Sequence, residues 1–126
     1  MSSSLIDPQP IPVPDVVIRE STRNGALVLQ VSGTVDMVTG PKFHAAVESA
    51  LGAAPKVLVI DLSEVTFLAA AGLHVLDVAR AAAGDSTVFA VVADGPATVR
   101  PIELTGLDGV LGLYPTIDDV IERHAA

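Results

Sequence analysis

Apolar residues cluster into short runs separated by turn-forming residues, and the spacing of those runs sets the expected elements. VVIRE and ALVLQVSG lie on either side of Asn24-Gly25. That dipeptide suits a type I′ turn, which needs positive φ at both central residues, so a β-hairpin is predicted. TGPKFHAAVESALG switches to helical spacing, with Phe43, Val47, Ala50 and Leu51 on one stripe. Pro41 sits near its first turn, and Gly52 is expected to stop it. KVLVIDL is a continuous apolar run, the pattern of a central strand covered on both faces, with Asp61 expected at its carboxyl end.

A second helix is predicted after Leu68. Leu73, Leu76, Ala79 and Ala83 share its inner side, His74, Asp77 and Arg80 its polar side, and Gly84 closes it. STVFAVVA reads as another buried strand. PATVRPIELTG reads as a shorter helix, with Pro101 limiting where it begins. GVLGLY makes a last short strand. TIDDVIERH then opens with Thr116 as N-cap and Asp119 three residues on, with Ile117, Val120 and Ile121 inward. The order β-β-α-β-α-β-α-β-α implies an α/β fold, a mixed and mostly parallel sheet with right-handed crossovers in a single domain over residues 16–126. Residues 1–15, with Pro8, Pro10, Pro12 and Pro14 alternating, read as an extended tail, because proline cannot donate to a sheet ladder.

The 126 residues carry 15 Asp and Glu against 7 Lys and Arg, a formal charge of −8. A phosphate backbone is repelled by that balance, so nucleic acid is not an expected partner. There is no cysteine, which excludes disulfides and thiolate metal sites. No run approaches the roughly 20 apolar residues of a membrane span, and no signal peptide is visible, so the chain reads as cytoplasmic.

Catalytic chemistry finds little support. His44, His74 and His124 fall on three predicted helices, without partners at metal-binding spacing, and read as exposed helical residues. Asp118 and Asp119 belong to a helix start, where negative charge is favourable without catalysis. No phosphate-binding loop, nucleophile elbow or dinucleotide fingerprint occurs, so neither enzyme activity nor a cofactor or metal is expected. Asp36, in the loop after Gly33 and Thr34, stands apart, because loops at the carboxyl ends of parallel strands form the usual functional edge. Asp61 reads better as a turn or capping residue.

GTVD followed by a helix, and then VLVIDLSEVTFLAAAGLHVL, resembles the STAS domain of bacterial anti-sigma factor antagonists. The family pattern is an apolar strand, Asp-Leu-Ser, a variable residue, Val, a variable residue, Phe and an apolar residue. Asp-Ser-Ser or Asp-Ser-Thr and then Gly-Leu follow. The resemblance extends from Val16 to the C-terminus, and TGLDGVLGLYPTIDDVI is similar to the family's closing unit. It implies a binding protein that engages a GHKL-type anti-sigma factor, itself a serine kinase, and so frees a sigma factor for transcription. The implied contact surface is Gly33, Thr34, Asp36, Ala69, Ala70, Ala71, Gly72 and Leu73.

In that family the kinase phosphorylates a serine at the position of Ala70. Here Ala69 replaces the usual aspartate and Ala71 the second hydroxyl residue, so this switch is missing. Three alanines together fit natural loss better than a single serine exchanged by design. Small residues at this junction are expected to admit a partner backbone and a sharp turn. Ser63 and Thr66 are the nearest candidate substitute phosphosites, though strand-end hydroxyls more often make turn hydrogen bonds. An alternative is a ligand-sensing domain that binds a nucleotide or other small anion at the helix start after Ala71. No Lys or Arg close in sequence favours that alternative.

Overall fold

The computed structural model describes residues 15–124. The tail expected before the domain lies outside these residues except for Asp15. β1 (Val16–Arg23) and β2 (Ala26–Val35) form the hairpin, and Asn24 and Gly25 take φ of 51° and 84° as their dipeptide predicts. The chain continues through α1 (Gly40–Gly52), β3 (Val57–Leu68), α2 (Ala70–Ala83), β4 (Val88–Val92) and α3 (Pro96–Leu104). A 3-10 turn at Leu107–Gly109 leads to β5 (Gly112–Tyr114) and α4 (Ile117–His124). The expected element order is therefore the observed one.

The sheet order is β1-β2-β3-β4-β5, with β1 antiparallel and the remaining neighbours parallel. Each parallel step advances by one strand in the same direction. Right-handed crossovers then put α1, α2 and α3 on one face of the sheet. The larger core lies between those helices and that face, with Phe43, Leu58, Ile60, Leu62, Leu76 and Ile102 fully buried. Each such side chain contributes about 1.5–3 kcal/mol relative to exposure. Among the described residues the opposite face has only α4, whose Val120 packs on Val28, Val59, Ala90 and Val92. β3 alternates between the two clusters, which is why its apolar run is unbroken.

Several expected boundaries move. Gly33 does not end β2. It lies inside the strand at φ +95°, where a Cβ would meet the Asp15 carbonyl oxygen at 2.5 Å. Asp61 is not at the carboxyl end of β3, because the strand runs on to Leu68. Two bulges allow this, since Gln30 pairs with Asp61 but Ser32 with Glu64, and Gly33 with Val65 but Thr34 with Phe67. Each bulge gives β3 one extra residue, which breaks the simple alternation used to place the strand end. The buried Asp61 carboxylate accepts the Ser63 N–H at 3.0 Å beside the first bulge, the turn-type role expected of it.

Gly52 is the last residue of α1, but the left-handed position beyond the helix is Ala54, at φ 52°. Pro101 does not limit where α3 begins. The helix starts at Pro96, where a missing N–H costs nothing, and carries Pro101 within it. Of GVLGLY, only Gly112–Tyr114 is strand, because the preceding residues close the 3-10 turn. The start of α4 is as expected, since Thr116 Oγ1 accepts the Asp119 N–H at 3.1 Å.

Candidate functional site

Two strand-to-helix junctions meet at one edge of the sheet. The Ala69 N–H donates to the Val35 carbonyl at 2.8 Å, tying the start of α2 to the end of β2. A Cβ on Gly40 would lie 3.4 Å from the Ala71 Cβ, so the first turns of α1 and α2 are in close contact. Gly33, Thr34 and Asp36 are thereby brought beside Ala69, Ala70 and Ala71, though more than 30 residues separate them in sequence.

The loop before α1 is held by side chains. The Asp36 carboxylate accepts the N–H groups of Val38 and Thr39 at 2.9 and 3.0 Å. The buried Thr39 hydroxyl donates to the Thr34 carbonyl at 2.7 Å and accepts the Asp36 N–H at 2.9 Å. Asp36 is held below the ordinary aspartate range, first by the Thr39 backbone N–H, with burial opposing and the Val38 N–H adding. This clasp pushes Met37 and Val38 outward, 82% and 73% exposed. Two large apolar side chains thus face solvent rather than core.

The start of α2 is different. Its N-cap is Ala69, no side chain caps it, and no acidic residue occupies its first turn. Ala70 is exposed, and Ala69 and Ala71 are partly so. Gly72 and Leu73 are buried and support this ridge from beneath. The reason for glycine at 72 is internal packing, not the sharp turn expected from sequence. A Cβ there would lie 2.6 Å from both Leu68 Cδ1 and Val35 Cγ1, so the helix start is drawn tightly onto β2 and β3. Phe67, 55% exposed, lies just before the ridge in sequence.

Thr66 donates its hydroxyl to the Gly33 carbonyl at 3.2 Å. Ser63 is exposed and faces a separate shallow pocket lined by Arg23, Asp61, Val92, Thr116 and Asp118. His44 and His74 are exposed as expected and line one groove between α1 and α2, with Met37, Pro41, Val75 and Val78. His124 departs from expectation. It is partly buried, with Nε2 2.9 Å from the Tyr114 hydroxyl. The described residues hold no group of three or more side chains placed to bind a metal, and no helix among them is long and apolar enough to cross a membrane.

Sequence reasoning missed Met37, Val38 and Thr39. The signal was present in DMVT, an aspartate three residues before a threonine with two large apolar residues between. A clasp from the Asp to its following N–H groups leaves those two no inward path.

A family model described as the STAS domain matches residues 16–120. An anti-sigma-F factor antagonist of Mycobacterium tuberculosis, RsfB, is 38% identical over 106 residues, covering 84% of this chain and 87% of that protein. The crystal structure of an anti-sigma factor antagonist from Mycobacterium paratuberculosis is similar at a TM-score of 0.83 and 44% identity, over 86% of this chain and 92% of that one. The phosphorylated form of SpoIIAA, a Bacillus cell fate determinant, has a TM-score of 0.62 at 14% identity, over 85% and 98%, a likeness of fold alone. The chain belongs to the STAS-domain family.

Proposed function

We propose that this chain is an anti-sigma factor antagonist, a binding protein that engages an anti-sigma factor and so releases a sigma factor. The observation that carries the reading is the exposed apolar surface beside an uncapped helix start, formed by Met37, Val38 and Ala70. The relatives named as antagonists of anti-sigma factors support it. In this reading the partner is a GHKL-type serine kinase. Gly33, Thr34, Asp36 and Ala69–Ala71 present the contact surface, while Gly72 and Leu73 set its shape.

The binding is not switched off by phosphate at position 70. A phosphate would add about −1.5 to −2 charges inside the interface, but a methyl group has no acceptor oxygen for it. Thr66 is a poor substitute because its hydroxyl is already engaged. Ser63 lines a separate pocket with Arg23, Asp61 and Asp118 that includes none of Ala69–Ala71. The chain therefore acts without that control, or under a different one.

Calorimetric titration against the GHKL-type anti-sigma factors of the source genome tests this. The parent chain should bind one of them, and incubation with that kinase and ATP should leave binding intact. Ala70→Glu should weaken it by about 1–3 kcal/mol, or more where the charge is fully buried. Equal affinities for Ala70→Glu and the parent would place this junction outside the interface.

A further inference from the structure

The groove between α1 and α2 has a volume of about 510 Å³ and is lined by Met37, Pro41, His44, His74, Val75 and Val78. That volume lies within the range of binding clefts, roughly 300–1,000 Å³. None of the lining residues is Lys, Arg, Asp or Glu, so the chemistry suits an apolar occupant with flat rings rather than an anion. We propose that the chain's own N-terminal segment, residues 5–13, docks in this groove and competes there with the partner. The competition rests on the function proposed above; the docking does not.

The segment's point of entry favours it over other occupants. The Asp15 carbonyl accepts the Thr34 N–H at 2.9 Å. Lys42 Nζ lies 2.7 Å from the Val16 carbonyl and 3.6 Å from the Asp15 carboxylate. The chain therefore joins the domain against the first turn of α1, and Pro41, next to Lys42, is a groove residue. Fourteen residues in polyproline II geometry span about 43 Å at ~3.1 Å each, against a helix diameter of about 10–12 Å to be crossed.

The composition matches as well. MSSSLIDPQPIPVP carries Leu5, Ile6, Ile11 and Val13 among four prolines, and Asp7 is its single charged side chain. Proline-rich segments lose little entropy on docking, and they pack on flat ring surfaces such as the two imidazoles here. Tethering raises the effective concentration to about the millimolar range, enough for a weak contact to be populated. A partner that needs Met37 then binds only the fraction of molecules with the groove clear, which lowers its apparent affinity.

The chain has no cysteine, so Ser4→Cys offers a unique attachment point for a nitroxide on the 126-residue chain. The label should broaden the amide signals of His44, His74 and Val78, and reduction of the nitroxide should restore them. Adding Ile6→Asp and Ile11→Asp to the labelled chain should abolish the broadening. Broadening spread evenly over the surface, or unaffected by the two aspartates, overturns the docking. Broadening that also arises when labelled chain is mixed with unlabelled, isotope-enriched chain assigns the groove to a second copy and overturns it too. With an anti-sigma factor that binds, Ile6→Asp with Ile11→Asp should tighten binding about two- to tenfold, and unchanged affinity overturns the competition. The nitroxide arm needs no partner, so a chain that binds no anti-sigma factor refutes the proposed function without touching the docking result.

Discussion

The two strand-to-helix junctions at the site edge lie in contact and are built from opposite chemistry. Between β2 and α1, Asp36 and Thr39 hold the loop with polar side chains, and the apolar residues face outward. Between β3 and α2 no side chain caps the helix, and the turn is held by the fit of Gly72 against Val35 and Leu68. One junction is secured by side-chain hydrogen bonds and presents large side chains. The other is secured by packing and the backbone hydrogen bond from the Ala69 N–H to Val35, and presents methyl groups. The difference shows how a helix start can stay exposed and uncharged, since the neighbouring loop and the core beneath hold it in place.

The largest effect should come from breaking the packed junction. Gly72→Val puts branched carbon where a Cβ alone would lie 2.6 Å from Leu68 Cδ1 and Val35 Cγ1, both on buried side chains that must shift to admit it. A loss of about 3 kcal/mol is expected, at the upper end of overpacking costs. Urea denaturation measures it as a lower midpoint at unchanged slope. Gly52→Ala is the control, because nothing lies within 4 Å of its added Cβ. That change should be neutral or gain up to about 1 kcal/mol. Equal losses at 52 and 72 would show that glycine at 72 has no packing role.

The polar junction should break at Thr39. Thr39→Val keeps the shape and removes a hydroxyl that serves both the Thr34 carbonyl and the Asp36 N–H. Because Thr39 is buried, the loss should be about 1–3 kcal/mol. The amides of Val38 and Thr39, both bonded to Asp36, should also exchange faster relative to those of Gly72 and Leu73. Similar changes at both junctions would mean that the two are one cooperative unit.

The two junctions were not equally legible in the sequence. Periodicity and turn chemistry placed the hairpin, the helices and their order, because Asn24-Gly25, Gly84 and Thr116 act locally. Strand ends were misplaced where β3 bulges, since two extra residues upset the alternation around Ser63 and Thr66. The motif from Asp61 to Leu73 carried the family, yet the reason for Gly72 needed Val35, which is far away in sequence. Pairing of His44 with His74 across one groove likewise depends on how two helices pack, which no local pattern encodes.

A smaller effect, of opposite sign, should follow from capping the bare junction. Ala69 has extended backbone at φ −93° and ψ 177°, the geometry of an N-cap, without an oxygen to fill the role. Ala69→Asp, the residue the family carries there, should stabilise the fold by about 0.5–2 kcal/mol through the first N–H groups of α2 and its dipole. Thermal unfolding of Ala69→Asp beside the parent gives the difference. No gain would show that these N–H groups already have adequate partners.

The smallest effect separates the junctions by pH. Asp36 is held below the ordinary aspartate range chiefly by the Thr39 backbone N–H. A carboxylate held lower in the folded chain than in the unfolded one adds stability that is complete above the unfolded value. That contribution is lost as pH falls through the folded value. Acidification should therefore loosen the loop before α1, and the amide shifts of Val38 and Thr39 should follow one proton uptake below the usual aspartate midpoint. Asp36→Asn keeps an acceptor oxygen but has no proton to take up, so the same amides should no longer titrate. The junction at Ala69–Leu73 contains no titratable side chain, and its amides should stay flat over that step in both proteins. If they moved together with Val38 and Thr39, the hydrogen bond from the Ala69 N–H to Val35 would be transmitting the change, and the two junctions would respond as one surface.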